Sequence, residues 1–147
     1  MSAYVHPSAV VGEDFQPAPF VIIDADVVLG DHVITGSFVH IRYGAHIGDN
    51  VLIGDHVTIH DGARVGAGSV IADGAIIGRR PAETLGTSIK NARVAGASLG
   101  EKCQVGINAI VMAGAHVADK IVVGDGAYVG AGTHVEDDVA VRASVLA

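Results

Sequence analysis

Aliphatic residues recur at every sixth position along most of the chain. Counting in sixes, eleven of the thirteen positions from Val5 to Ile77 hold Val, Ile or Leu, and all eight from Leu99 to Val141 are aliphatic. Gly follows directly at eleven of these twenty-one positions. A period of six does not match the 3.6-residue turn of an α-helix, which would spread the aliphatic residues around its whole surface. The pattern therefore predicts short β-strands joined by tight turns.

The same period predicts how the strands are arranged. Alternate residues of a strand share a face, so the aliphatic residue and the residue two before it point inward, and the residue between them points outward. Three hexads close a triangular coil, and self-similarity at a fixed period is the signature of a solenoid. Stacking such coils at about 4.8 Å gives an all-β, parallel solenoid of about six coils. An aromatic content of 4% with no Trp fits its narrow interior.

Two segments carry a family resemblance. The sequences IGDNVLIGDHVTI (47–59) and VGDGAYVGAGTHV (123–135) resemble the repeats of hexapeptide-repeat acyltransferases. The resemblance extends over nearly all of the chain and implies a left-handed parallel β-helix forming a single domain over residues 1–147. It also implies a homotrimer with active sites in the clefts between subunits.

The hexad pattern breaks once. The step from Ile77 to Leu99 is not a multiple of six, so we expect a protruding loop interruption at 79–93. Ile89 and Val94 are candidates for shortened repeats, and the pattern leaves the point of re-entry open. An interruption in a regular scaffold is where function is usually located.

The interruption also concentrates positive charge. Arg79, Arg80, Lys90 and Arg93 are four of the nine basic residues. The planar fork of Arg suits phosphate, because it can bond two oxygens at once. The four residues are therefore candidate cofactor-binding residues, for the phosphates of coenzyme A or a nucleotide-sugar diphosphate. The alternative is a solvated surface loop.

Three histidines are candidate catalytic bases. Acyl transfer from a thioester needs a base that deprotonates the acceptor, and a neutral imidazole can supply it. His60 is the first choice, because three hexads separate it from Gly78 and it therefore lies one coil beneath the root of the loop. His40 and His46 follow, on adjacent outward faces. Each has an alternative role at the surface or at a subunit interface, and an amine acceptor requires no essential base.

A glycine-rich stretch late in the chain is a second candidate contact with the coenzyme. Gly130, Ala131 and Gly132 resemble the Gly-Ala-Gly-Ser stretch of the family, which implies backbone contacts with the pantetheine arm. The sequence after Val135 departs from the family's usual Val-Thr-Lys-Asp-Val, which weakens the expectation of a basic contact near the C-terminus.

Composition and charge limit the other classes of function. A net charge of −7 argues against general binding to nucleic acid or membrane surfaces. The single Cys, the lack of a basic, apolar leader and the lack of a long apolar run favour a cytoplasmic protein.

Two rival functions remain. A metalloenzyme like the γ-carbonic anhydrases is one alternative, although no two histidines here have the characteristic spacing of five that is found in that group, and we expect no metal site. A non-catalytic β-helix scaffold is the other, and it would need no basic loop. The segment Gly-Arg-Arg-Pro (78–81) is similar to the loop entry of nucleotide-amino-sugar N-acyltransferases. The sequence thus favours a trimeric enzyme that transfers an acetyl group from acetyl-CoA to an amino sugar or nucleotide sugar.

Overall fold

The computed structural model describes residues 2–81 and 95–137 and confirms the predicted all-β solenoid. Its elements are twenty short strands, most of them two residues long. In chain order they are β1 (Tyr4–Val5), β2 (Val10–Val11), β3 (Gln16–Pro17), β4 (Ile22–Ile23), β5 (Val28–Leu29), β6 (Ile34–Thr35), β7 (His40–Ile41), β8 (His46–Ile47), β9 (Leu52–Ile53), β10 (Thr58–Ile59), β11 (Arg64–Val65), β12 (Val70–Ile71), β13 (Ile76–Arg79), β14 (Ser98–Leu99), β15 (Gln104–Val105), β16 (Ile110–Met112), β17 (His116–Val117), β18 (Val122–Val123), β19 (Tyr128–Val129) and β20 (His134–Val135).

Every third strand joins the same sheet, so the chain winds as a left-handed parallel β-helix with three flat faces. Face A contains β1, β4, β7, β10, β13, β16 and β19; face B contains β2, β5, β8, β11, β14, β17 and β20; face C contains β3, β6, β9, β12, β15 and β18. All pairings are parallel. Sheets of seven, seven and six strands make between six and seven coils, slightly more than the sequence predicted.

The alternation of inward and outward residues agrees with the prediction. In the second coil Val21 and Ile23 are fully buried, whereas Ile22 between them is 42% exposed. Cys103 occupies one of the small inward positions and is completely buried. One continuous aliphatic core runs through the stacked coils, and burial of these side chains is the main source of stability.

Three edges join the faces, and two of them share a contact between an Asp side chain and the backbone. We call them edge AB, edge BC and edge CA after the faces that they connect. On edges BC and CA an Asp carboxylate oxygen accepts a hydrogen bond from a backbone N–H one coil earlier, at 2.7–2.8 Å. The residues that accept these bonds are Asp31, Asp49 and Asp119 on edge BC and Asp55, Asp73 and Asp125 on edge CA. Six of the sixteen acidic residues are thus part of the scaffold.

The glycines one coil before these Asp residues have a steric role. A Cβ at Gly30 would overlap the carboxylate oxygen of Asp49 and the backbone of the next coil. Gly36 stands in the same relation to Asp55. Each such glycine and the Asp of the next coil therefore form one interlocking Gly-Asp pair.

The extra residues between Ile77 and Leu99 come between β13 on face A and β14 on face B, at edge AB in the chain order. Strand β14 pairs with β11, so Leu99 lies beside Val65. On the other side of β11, Val65 lies beside Ile47, which is three hexads before Val65 in the chain. The longer path from Val65 to Leu99 contains the inserted segment. The backbone carbonyl of Ala97 accepts the Arg64 N–H at 2.8 Å, which fixes the re-entry point that the sequence left open. Ile89 and Val94 lie outside the described residues.

No helix in the described ranges is long and apolar enough to cross a membrane.

Candidate active site at edge AB

The residues that directly follow face A form a column along edge AB. Asp24, Arg42, His60 and Gly78 occupy the same position in four successive coils, because the strands before them are paired in register. The backbone N–H of His60 donates to the Ile77 carbonyl at 2.8 Å. A Cβ built on Gly78 would lie 3.5 Å from the His60 Cβ. His60 therefore lies directly under the root of the insertion, as its sequence position predicted.

The column borders a pocket of about 320 Å³. Its lining residues are Arg42, His60, Asp61, Arg79 and Arg80. An adjoining hollow of about 460 Å³ shares Asp61 and Arg80 with it. Two residues of the predicted basic cluster are thus placed beside the first-choice base. Lys90 and Arg93, the other two, lie outside the described residues.

The surroundings of His60 favour its neutral form. Burial of the imidazole is the largest cause and lowers its pKa, because an imidazolium loses solvation there. The positive charge of Arg42 lowers the pKa further, Asp61 opposes this with a smaller effect, and Arg79 lowers the pKa by less than Asp61 raises it. Arg42 Nε lies 3.4 Å from Asp61 Oδ1, so the acidic group is shared with the guanidinium. A neutral imidazole can accept a proton, which is the form that a general base requires.

His40 lies on face A, one coil below His60. It is two residues before Arg42, which occupies the position of that coil that corresponds to His60. Its Nε2 is 2.8 Å from Asp24 Oδ2, and both side chains are half-buried. A neutral His40 that donates from Nε2 to the carboxylate keeps a lone pair on Nδ1. Asp24 was not among the residues that the sequence singled out. Its signal was available, because the hexad count places it one coil before Arg42 and two coils before His60.

His46 lies on face B, on the other side of the edge from His40. Its Nδ1 donates a hydrogen bond to the backbone carbonyl of Gly44 at 3.0 Å, and its Nε2 has no hydrogen-bond partner among residues 2–81 and 95–137. The prediction that His40 and His46 lie on adjacent outward faces is confirmed. Of the three candidate histidines, His60 alone lines the pocket with Arg79 and Arg80.

The glycine-rich stretch lies on the same edge as the pocket. Gly130 follows face A three coils beyond His60, a separation of about 14 Å at the usual strand spacing. Gly130 is buried and Ala131 and Gly132 are exposed, and Gly132 has the left-handed φ of +76° that favours glycine. Sequence-distant candidates are therefore aligned along one edge, within the span of a single elongated ligand.

Arg42 and Asp61 are functional candidates that the sequence analysis missed. Both are ordinary charged residues at turn positions, and the hexad pattern alone does not distinguish them from charged residues on the other edges. The signal for Arg42 is the spacing of three hexads that superimposes it on His60, and the signal for Asp61 is that it directly follows His60.

No group of three or more His, Cys, Asp and Glu side chains that could hold a metal ion is present in the described part of the chain.

Family models of the hexapeptide repeat match most of the chain. The model described as bacterial transferase hexapeptide (six repeats) matches residues 26–61 and 44–79, and the model described as hexapeptide repeat of succinyl-transferase matches residues 96–136. The chain belongs to the hexapeptide-repeat transferase family. Both matches are to transferases, and the second supports acyl transfer as the general class of reaction. No curated protein sequence matches the chain.

Solved structures share the hexapeptide-repeat fold. A hexapeptide transferase family protein from Anaplasma phagocytophilum is 22% identical, with a TM-score of 0.71 over 94% of this chain and 77% of its own. LpxA from Acinetobacter baumannii is 18% identical, with a TM-score of 0.63 over 96% of this chain and 60% of its own. A perosamine N-acetyltransferase from Caulobacter crescentus, in complex with CoA and GDP-perosamine, is 23% identical over 99% of this chain and 52% of its own, with a TM-score of 0.49. At these identities the likeness concerns the fold and not the substrate.

Proposed function

We propose that this hexapeptide-repeat transferase moves an acetyl group from acetyl-CoA to the amino or hydroxyl group of a small acceptor. The proposed acceptor is a nucleotide-linked amino sugar, bound in the clefts between the subunits of a homotrimer. The observation that carries the proposal is the pocket on edge AB, which combines the imidazole of His60, whose pKa is lowered by burial, with the guanidinium groups of Arg79 and Arg80.

The chemistry assigns His60 the role of general base. His60 takes the proton of the acceptor as its nitrogen or oxygen attacks the thioester carbonyl carbon. The tetrahedral intermediate then collapses, the carbon–sulfur bond breaks, and the imidazolium returns the proton to the departing thiolate. The cycle ends with the acylated acceptor, the free thiol and neutral His60. Burial favours this cycle because it lowers the pKa of the imidazole and so disfavours the protonated form, which cannot act as a base.

The arginines supply binding rather than chemistry in this proposal. Arg79, at the end of β13, and Arg80, directly after it, are exposed, so their donors can reach phosphate oxygens. Arg42 lines the same pocket from one coil below His60. The stretch from Gly130 to Gly132, farther along the same edge, is the proposed contact of the pantetheine arm. Small residues there let the ligand approach the backbone closely.

The outward residues of face C support association of several copies. Ile34, Leu52, Val70 and Val122 lie at outward positions of β6, β9, β12 and β18 and are 38–46% exposed. Apolar patches of this kind on a flat sheet mark interaction surfaces. A homotrimer that covers face C is therefore the proposed assembly.

Calorimetric titration of acetyl-CoA tests the proposal. The Arg79→Gln/Arg80→Gln double variant is expected to bind at least tenfold more weakly than wild type, about 1.4 kcal/mol. The matched control is Lys102→Gln/Lys120→Gln, which removes two charges from exposed positions on edge BC and is expected to bind normally. A wild-type protein that does not bind the coenzyme at millimolar concentration contradicts the acyltransferase proposal. Equal binding by all three proteins contradicts the role of Arg79 and Arg80 in holding the coenzyme.

A further inference from the structure

Face B carries a continuous column of hydrogen-bond donors. Register pairing stacks the outward residues of consecutive coils, from His46 through Arg64, Ser98 and His116 to His134. The rings of His116 and His134 are 5.6 Å apart between centroids. None of these five outward residues is acidic, although the chain as a whole has a net charge of −7. The column is therefore a local concentration of hydrogen-bonding groups that includes the guanidinium of Arg64 and no carboxylate.

A groove of about 370 Å³ lies on this column where it passes His46, Arg64 and Ser98. Gly48 and Gly66 form part of its wall toward edge BC. A Cβ on Gly48 would come within 2.6 Å of the Ala67 backbone nitrogen, and one on Gly66 would overlap the backbone of Gly100. The next coil therefore leaves no room for a side chain at either position, and this wall of the groove is bare backbone.

Arg64 differs from Arg42 in its electrostatic partners. Arg42 lies 3.4 Å from an Asp61 carboxylate oxygen. Arg64 has no carboxylate within 4.0 Å among residues 2–81 and 95–137. Its guanidinium is exposed at the groove, with Ser98 one coil above and His46 one coil below. An exposed, uncompensated guanidinium flanked by a hydroxyl and an imidazole is suited to a phosphate group.

We propose that Arg64, Ser98 and His46 form a phosphate-binding subsite on face B, separate from Arg79 and Arg80. Arg64 donates two hydrogen bonds to phosphate oxygens, and the Ser98 hydroxyl donates a third. His46 is oriented by its bond to the Gly44 carbonyl and presents Nε2. The position rests on the proposed function, because Arg64 lies just around edge AB from His60 in the same coil. A ligand that reacts at His60 can therefore extend its phosphate over face B.

A phosphate monoester or diphosphate can come from either substrate. The first source is the 3′-phosphate of coenzyme A, and the second is the diphosphate of a nucleotide-linked acceptor. Three calorimetric probes distinguish them: coenzyme A, dephospho-coenzyme A, which lacks the 3′-phosphate, and uridine diphosphate.

The variant is Arg64→Gln, with Lys120→Gln as the matched control on an exposed position of edge BC. If the subsite reads the 3′-phosphate, Arg64→Gln weakens coenzyme A binding at least tenfold, leaves dephospho-coenzyme A unchanged, and abolishes the wild-type preference between the two. If it holds the acceptor, the same variant weakens uridine diphosphate tenfold and leaves both coenzymes unchanged. Arg64→Lys is expected to recover part of the loss, because it keeps the charge but not the fork. Equal melting temperatures show that the fold is intact.

Two results separate this inference from the proposed function. Wild-type binding of coenzyme A with no change in Arg64→Gln for any of the three probes overturns the subsite and leaves the acyltransferase proposal standing. Wild type that binds neither coenzyme contradicts the acyltransferase proposal, and the uridine diphosphate arm then decides the subsite by itself.

Discussion

The chain turns at edges AB and BC of the same β-helix, and different contacts stabilise the two turns. On edge BC, Gly30 and Asp49 interlock from coil to coil, and the carboxylate occupies the space over the glycine. In the described part of edge AB no Asp bonds the backbone in this way, and a hydrogen bond from the Asp26 N–H to the Ser8 hydroxyl oxygen is the comparable contact. Edge AB can therefore hold large side chains such as Arg42 and His60 at the position that is usually glycine on edge BC.

The comparison indicates why function is expected at one edge. A scaffold position filled by an interlocking device cannot change without a loss of stability, whereas a position free of that device can acquire chemistry. Edge AB also carries Arg79, at the end of β13, and Arg80 directly after it, and both line the pocket. If edge BC is structural and edge AB functional, substitutions on edge BC should reduce stability and substitutions on edge AB should reduce activity.

The largest expected effect is on catalysis at edge AB. His60→Gln is expected to lower kcat by about 10²–10⁴-fold, because the variant cannot accept the acceptor's proton. Steady-state kinetics with acetyl-CoA and a panel of amino-sugar nucleotides measures it. His32→Gln, at an exposed turn of edge BC, serves as the control and is expected to retain the wild-type rate. An unchanged kcat in His60→Gln would mean that the acceptor loses its proton without a protein base.

The next effect is on stability at edge BC. Gly30→Ala is expected to reduce the free energy of unfolding by about 1–3 kcal/mol, because the added Cβ overlaps Asp49 and the next coil. Gly44→Ala on edge AB meets no atom within 4 Å, and its φ of +68° makes the expected cost about 1 kcal/mol. Urea titrations of the two variants give the difference. A larger loss for Gly44→Ala would refute the interlocking role of the Gly-Asp pairs.

The smallest effect is a shift of the pH profile. Arg42 lowers the pKa of His60, so Arg42→Gln is expected to raise that pKa toward its ordinary value. The rate of the variant should then begin to fall at a higher pH than the wild-type rate as the solution is acidified, because His60 is protonated sooner. Profiles of kcat/KM against pH measure the shift. Lys120→Gln is the control, since Lys120 lies at an exposed position of edge BC and is not among the groups that affect His60. An acid limb that moves to lower pH would contradict the electrostatic account.

Much of the fold was predictable because the hexad is a local, repeated signal. Val21 and Ile23 point inward and Ile22 outward simply because strand residues alternate. The spacing of three hexads also placed His60 beneath Gly78, which the structure confirms. The re-entry at Ala97 was not predictable, because it depends on which strand β14 joins and not on any local period.

The candidate site was predictable in part for the same reason. Histidines and clustered arginines are conspicuous in an acidic sequence, so His60, Arg79 and Arg80 could be singled out. Arg42 and Asp61 are single charges at turns, and their value depends on lying beside His60. Asp24 likewise became a candidate only through the 2.8 Å hydrogen bond that orients His40.

The sequence by itself determined that the chain forms short parallel strands around a narrow aliphatic core, because a strict period of six allows no other regular burial. It also determined the kinds of chemistry available, an imidazole base and guanidinium donors. The tertiary structure decided which of these groups meet. Winding brings Arg42, His60 and Arg79 to one edge and separates His40 from His46 on different faces. The position of a residue around a coil depends on the lengths of all the turns and of the inserted segment before it. It is therefore fixed only when every strand has paired with its neighbours.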